Sequence, residues 1–315
     1  MTNALQSPEP GRDASGGRPW AGVELGGTKC VCTLAFGPER VIDQRTVATT
    51  SPDDTLPALL EVLHGWKQAH DFAALGIASF GPIDIDRSSP THGQILATNK
   101  PRWPGTDVLR ALSGPFEMPV GFDTDVNGAA LAEIAWGCGK GVDDFAYVTV
   151  GTGVGVGLIV LGRPTRGFAH GEWGHIRVPR LLGDDHPSVC SYHDDCVEGL
   201  ASGTALVSRL AGRTVREISE DDPAWDAIVH YIAAMAHALV CGAAPRRIAI
   251  GGGVLSAQPH LLARIDRALR VSINGYLKLP DDYDYVTRPG LGDLAGPLGS
   301  IALAVAAAEE ACRAG

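Results

Sequence analysis

The sequence predicts an α/β fold in two lobes, and three observations carry that prediction. Short apolar runs alternate with segments whose apolar residues recur at helical spacing, as strands and helices alternate in α/β proteins. The alternation starts a second time after Pro119. The chain has 315 residues, 45% of them hydrophobic, which fills a core and approaches the size at which one core divides into two.

Taken in order, residues 1–19 hold neither a basic, apolar leader nor an Arg-rich amphipathic pattern, and read as a disordered tail. Val23 to Leu25 reads as a short strand, Gly26-Gly27-Thr28-Lys29 as a turn, and Cys30 to Phe36 as a second strand. Leu56, Leu59, Leu60 and Leu63 mark a helix, and Leu75 to Phe80 is an apolar strand that stops at Gly81-Pro82. In the second series Phe122 ends a short strand, Asp123-Thr124-Asp125 stands at its carboxyl end, and Ala129 to Trp136 makes a helix closed near Gly137. Phe145 to Val150 and Val156 to Val160 are strands flanking a glycine turn. Ile228, Ile232, Met235 and Leu239 line one helix face, and Arg247 to Ile250 is a strand that runs into Gly251-Gly252-Gly253. No repeat with a solenoid period is visible.

Composition removes several classes of function. With 26 Lys+Arg against 36 Asp+Glu, the net charge is −10, and no basic run offers a footprint for nucleic acid. No uncharged apolar run reaches the roughly 18 residues of a membrane span, so no membrane partner is expected. Seven cysteines without a secretion signal favour reduced thiols or metal ligands, and a cytoplasmic location, over a disulfide framework.

Among the 40 glycines, three clusters lie at strand ends: Gly26-Gly27 with Thr28 and Lys29, Gly151-Thr152-Gly153 with Gly155 and Gly157, and Gly251-Gly252-Gly253. Glycine lets backbone N–H groups converge on an anion with no Cβ in the way, and a threonine adds a hydroxyl donor. Any one cluster is equally a tight hairpin; three together favour a nucleotide site. Neither the Walker A spacing nor the Rossmann fingerprint is present, since Lys29 follows Thr28 directly and Val156 stands where the last glycine of G-x-G-x-x-G belongs.

Cys190-x-x-His193-x-x-Cys196 places three ligands within seven residues, a spacing suited to tetrahedral zinc. The fourth ligand must come from elsewhere, with His175 preferred over His170 and His186. A closed set of four would be structural, whereas a position open to water would bring back a zinc hydrolase. Asp125 stands between a strand and a helix, where its carboxylate either caps the helix or serves as a base. Asn99, Glu172, His175 and Glu198 are polar groups of the kind that grip sugar hydroxyls. Glu24 precedes the first glycine turn and is placed either to hold magnesium through water or to hydrogen-bond within the strand pair.

Glu24 to Lys29, Asp125-Val126-Asn127-Gly128-Ala129-Ala130, Glu172-Trp173-Gly174-His175 and Cys190 to Glu198, in that order, together resemble the ROK family of sugar kinases and repressors. The resemblance runs from about Trp20 to near the C-terminus. It implies the two-domain actin-like ATPase fold (ribonuclease H-like, hexokinase superfamily), with the active site in the cleft between the domains. The implied division is a small domain over 20–118, joined by a C-terminal helix at about 297–313, and a large domain over 119–296 with a zinc loop at 175–196.

Carried over, the family pattern makes Gly26 to Lys29 the first phosphate loop, Gly151, Thr152, Gly153 and Gly155 the second, and Gly251, Gly252, Gly253 and Val254 part of the adenosine site. Asp125 becomes the base that takes a proton from a sugar hydroxyl as it attacks the γ-phosphate of ATP, with Mg2+ travelling with the nucleotide. Asn99, Asp125, Glu172, His175 and Glu198 match sugar-contacting positions, and His175 also joins Cys190, His193 and Cys196 as a Zn2+ ligand. Glu24 in place of the common Asp, and His193 in place of a Cys, resemble the zinc-containing bacterial fructokinase branch. The implied activity is ATP-dependent phosphorylation of a hexose, D-fructose to D-fructose 6-phosphate, by a homodimer. A glucokinase or mannokinase is the alternative within the family. A sugar-responsive regulator is the alternative of another class, but only 19 residues precede Trp20, too few for a winged helix.

Overall fold

The computed structural model describes residues 17–314. Residues 1–16 of the expected tail lie outside the described residues, and 17–19 enter the first strand without regular structure. In chain order come β1 (Trp20–Leu25), β2 (Lys29–Gly37), β3 (Arg40–Ala48), α1 (Pro52–His70), β4 (Leu75–Ser79), α2 (Val108–Ser113), β5 (Val120–Thr124) and α3 (Asp125–Trp136). There follow β6 (Phe145–Val150), β7 (Val154–Val160), β8 (Arg163–Pro164), α4 (Val197–Ala201), α5 (Gly203–Leu210) and α6 (Pro223–Ala243). The series ends with β9 (Arg247–Gly251), α7 (Gly253–Ser256), α8 (His260–Ile273), β10 (Val286–Thr287) and α9 (Ala295–Ala314).

The chain forms two compact units, the first from residues up to Ala132 with Gly167–His170 and Asp293–Gly315, the second from Glu133–Arg166 and Gly171–Gly292. The first unit is built on a sheet of order β3-β2-β1-β4-β5. β1 is antiparallel to β2, and β1, β4 and β5 run parallel. α1 begins at Ser51 with Pro52 in its first turn and two acids, Asp53 and Asp54, facing the positive end of the helix dipole. Leu56, Leu59, Leu63 and Trp66 form its buried face.

α9 lies on the three parallel strands because the sequence clears a track for it. Gly22, Gly76 and Gly121 are in register across β1, β4 and β5. A Cβ at Gly76 would stand 1.8 Å from the Ser300 carbonyl oxygen, one at Gly22 2.1 Å from Ser300 Oγ, and one at Gly121 2.2 Å from the Leu303 carbonyl oxygen. Part of the glycine excess therefore serves helix–sheet contact and has no bearing on phosphate.

The pairing of β5 with β4 corrects the expected domain boundary at 118/119. Strand and helix after Pro119 read as the opening of a second series, but parallel pairing to β4 keeps them in the first unit, and the division falls after Ala132.

The second unit has a sheet of order β10-β9-β6-β7-β8, so that hairpin β6–β7 and parallel β9 repeat the arrangement of β1, β2 and β4. Its core centres on α6, whose Trp225, Ile228, Ile232, Met235 and Leu239 are buried with Leu261, Ile265 and Leu269 of α8. α6 and α9 are long and apolar enough to pass a test for membrane spans, and their burial in these two units accounts for that composition.

Candidate active site

Leu25, Ser79 and Thr124, at the carboxyl ends of β1, β4 and β5, are in register. The first glycine loop therefore leaves the sheet on the same edge as Asp125, with one strand, about 10 Å of sheet, from β1 to β5. The outward carbonyls of that loop are all engaged. Thr49 Oγ1 donates to the Gly26 carbonyl at 2.8 Å, the Thr49 N–H to the Thr28 carbonyl at 3.0 Å, and Lys100 Nζ to the Gly27 carbonyl. What such a loop has left to offer is N–H groups, the requirement for an anion cradle.

Asp125 opens α3, yet another residue caps the helix. The Asn127 N–H donates to Thr124 Oγ1 at 3.2 Å, while Asp125 Oδ1 accepts from the adjacent Val126 N–H at 2.9 Å. Buried Asp123 takes the Asn127 side-chain amide at 2.7 Å and the Thr124 N–H at 2.8 Å, so these two polar residues brace the strand end. Burial pushes the Asp125 carboxyl up to about 6. Glu24, on β1, is pushed up to about 7 by burial and then by the charge of Asp125, with Lys29 opposing. Two carboxylates raised together in one recess form an oxygen donor set that a hard divalent cation would relieve. Asn99 is exposed in the irregular segment that also carries Lys100.

In the second unit Gly151, Thr152 and Gly153 form the β6–β7 hairpin, closed by the Gly151 N–H to the Gly153 carbonyl at 2.9 Å. The start of α5 docks on it: the Gly203 N–H donates to the Gly151 carbonyl at 2.7 Å and Thr204 Oγ1 to the Thr152 carbonyl at 2.9 Å. A Cβ at Gly203 would lie 3.3 Å from Val254 Cγ2, so the third cluster meets the second here. Gly252 has φ +86° and no room beside the Val150 backbone, a position only glycine fills without strain. Gly203 and Thr204 escaped the sequence reading; they form one of four Gly-Thr pairs in the chain, and only their contacts with the hairpin set them apart from Gly105-Thr106.

The same unit brings His175, Cys190, His193 and Cys196 together, their ligand atoms all within 4.8 Å of one another. Cys190 Sγ lies 3.7 Å from His175 Nδ1 and 3.6 Å from His193 Nδ1, and Cys196 Sγ lies 3.9 Å from His175 Nδ1. A tetrahedron with Zn–S of about 2.3 Å and Zn–N of about 2.0 Å has S···N edges of about 3.6 Å, so the donor set fits zinc. Backbone N–H groups of Gly199 and Tyr192 donate to the sulfurs of Cys196 and Cys190 at 3.3 and 3.4 Å and help hold them in place. The two other histidines are occupied elsewhere, His170 accepting from the Ile83 N–H at 3.0 Å and His186 pairing with Ser208 Oγ at 3.1 Å. A metal held by all four side chains would have no position for water, as in structural rather than hydrolytic zinc sites.

Glu198 joins these features. Its Oε2 accepts from the Val154 N–H of the glycine hairpin at 3.0 Å, and its Oε1 lies 3.7 Å from His175 Nε2. Glu172, exposed, precedes the single 3-10 turn Trp173–His175 that delivers His175.

Residues 20–307 match the ROK family. This chain belongs to the ROK family. It is 42% identical over 290 residues to a fructokinase of Zymomonas mobilis, covering 90% of this chain and 96% of the relative. It is 39% identical over 289 residues to a fructokinase of Pediococcus pentosaceus, covering 92% and 98%. Among solved structures, a ROK family glucokinase from Streptomyces griseus in complex with glucose and AMPPNP superposes with a TM-score of 0.73 at 26% identity, covering 91% of this chain and 99% of that one. The two five-stranded α/β sheets are those of the ROK kinases, the actin-like ATPase fold. Of the expected site residues of this ROK chain, Glu24, Gly26 to Lys29, Asn99 and Asp125 belong to the first unit, and Gly151 to Gly155, Glu172, His175, Glu198, Gly251 to Val254 and the metal cluster to the second.

Proposed function

We propose that this ROK chain is an ATP-dependent hexose kinase that converts D-fructose to D-fructose 6-phosphate. The observation that carries the reading is Asp125: a carboxyl relieved of capping duty, on the sheet edge that also carries the first glycine loop, with its proton affinity raised toward neutrality. A general base works best with a pKa near the working pH, because it is then both largely ionised and basic enough to take a proton. Its carboxylate accepts the proton of the sugar hydroxyl while the hydroxyl oxygen bonds to the γ-phosphorus and the bond from that phosphorus to the β,γ-bridging oxygen breaks. Gly26 to Lys29 and Gly151 to Gly155 offer N–H groups to the phosphates, and Gly251 to Val254 serve the adenosine end. Asn99, Glu172, His175 and Glu198 hold the remaining sugar hydroxyls.

Two metals belong to this reading. Magnesium bound with the nucleotide would neutralise phosphate charge, and Glu24 would hold it through water. Zinc on His175, Cys190, His193 and Cys196 is structural and fixes the ring of His175, leaving Nε2 for the sugar. A cytoplasmic homodimer completes the proposal, supported by the family resemblance alone. Fructose is favoured over glucose and mannose because the relatives that match nine-tenths of the chain bear the name fructokinase. A coupled assay with MgATP and each hexose tests this: fructose phosphorylation with the highest kcat/KM is expected, and inactivity on all three hexoses overturns it.

A further inference from the structure

We propose that Lys100 is a catalytic residue of the same reaction, its ammonium bearing on the γ-phosphoryl of ATP beside the first glycine loop. This rests on the kinase reading and adds to it a residue that the motifs do not assign.

The placement of Lys100 is built by packing. Trp103, 1% exposed, is fixed by its indole N–H to the Thr50 carbonyl at 2.8 Å and packs edge-on against Phe80 at 5.3 Å. Phe80 is tied to the end of β1 by its N–H to the Leu25 carbonyl at 2.9 Å. Lys100 Nζ stands 5.2 Å over the Phe80 ring and donates to the Gly27 carbonyl. A Cβ at Gly27 would come within 2.9 Å of Nζ, so glycine there admits the ammonium to the loop.

The charge of Lys100 is the second observation. Among the described residues no carboxylate lies within ion-pair distance of it, in a chain whose net charge is −10. Partial burial lowers its pKa, the sign of a cation held out of water without a countercharge. A carbonyl satisfies one of the three ammonium donors and neutralises none of the charge. The group that supplies what is missing is a polyanion in the glycine loop. Lysine serves such a role as a point charge on a flexible stem, able to follow the phosphoryl as charge redistributes over its oxygens.

The alternative role is bracing, in which Lys100 only shapes the loop by holding the Gly27 carbonyl. The two separate on nucleotide identity, because only ATP has a γ-phosphoryl. Full-length Lys100→Met and Lys100→Arg proteins are to be titrated with MgADP and with the magnesium complex of a non-hydrolysable ATP analogue, alongside fructose kinetics. For Lys100→Met the expected results are a kcat lowered about 100-fold or more, a fructose KM within about threefold, and affinity lost at least tenfold for the ATP analogue but less than twofold for ADP. Lys100→Arg, which keeps the charge, is expected to recover part of both losses and guards against misfolding of the methionine variant. Equal losses for the two nucleotides, or a kcat within threefold of the parent, overturn the proposal. Inactivity of the parent on every hexose sinks the kinase reading, while the ATP-against-ADP comparison still judges Lys100.

Discussion

Glu198 Oε1 lies 3.7 Å from Nε2 of His175, while the Nδ1 of the same ring faces Cys190 Sγ at 3.7 Å. One imidazole thus has a cysteine side and a carboxylate side. The other oxygen of Glu198 holds the Val154 N–H, so a single carboxylate links the glycine hairpin to the ring of the His/Cys cluster. Glu198→Gln keeps an acceptor for Val154 and removes the charge opposite His175. The expected outcome is a fructose KM raised about five- to tenfold, the value of roughly 1 kcal/mol of lost polar interaction, with zinc content unchanged. Steady-state kinetics with elemental analysis checks it, and loss of zinc at unaltered KM contradicts it.

Removal of zinc should uncouple the sugar site from the fold. The loop that carries the ligands is also fastened by Arg209, which pairs bidentately with Asp184 at 2.8 Å through both nitrogens, and by Arg180, which donates to the carbonyls of Asp184, His186 and Asp194. The Arg209–Asp184 pair is largely buried, and Tyr231 adds its hydroxyl to the same carboxylate. Chelation is therefore expected to release one zinc per chain and raise the fructose KM while far-UV circular dichroism stays near that of the holo protein. Unfolding on chelation would mean that the arginines do not hold the loop alone.

Asp125→Asn removes the proton acceptor and leaves the glycine loops untouched. Turnover should fall about 10³-fold, within the usual contribution of a general base, with MgATP affinity within about twofold. For the parent, kcat/KM should rise tenfold per pH unit below about 6, where the Asp125 carboxyl loses its proton, and level off above it. An activity that continues unchanged to pH 5 would remove Asp125 as the base.

Glycine spacing had two different causes, and the sequence displays only one of them. The loops at 26–27, 151–153 and 251–253 stand out because adjacent glycines cluster at strand ends. Gly22, Gly76 and Gly121 sit singly, far apart in sequence, and acquire meaning only when three strands align them under α9. β3 was invisible for a related reason: it is an edge strand with mostly exposed, polar side chains, so it lacks the apolar alternation that marks a half-buried strand. The His/Cys cluster was legible because three of its four members are local, whereas Lys100 and Gly203 make contacts 73 and 52 residues away in the chain.

The glycine track gives a stability prediction. Gly76→Val forces a side chain into the space of the Ser300 carbonyl, where the helix backbone cannot yield without lifting off the sheet. A loss of about 3 kcal/mol or more is expected, read as a lower melting temperature, whereas Gly141→Ala, at a φ of +80° with open space around it, should cost only its local backbone strain.

Glu24 gives the opposite sign. Its carboxyl holds its proton more tightly in the folded chain, at about 7, than the ordinary 4.5 of an unfolded one, so the folded state binds more protons between these values. Stability must then fall as pH rises from about 4.5 to 7 and stay reduced above it. Glu24→Gln keeps the shape without the charge, and should be more stable than the parent at pH 8 by on the order of 2 to 3 kcal/mol and equal to it near pH 4. The same substitution withdraws an oxygen donor set from magnesium, so MgATP should bind more weakly to the more stable protein. Thermal melts at the two pH values, paired with nucleotide titrations at two magnesium concentrations, measure both effects. A variant that is less stable at pH 8 would show that the Glu24 charge is already compensated in the folded chain.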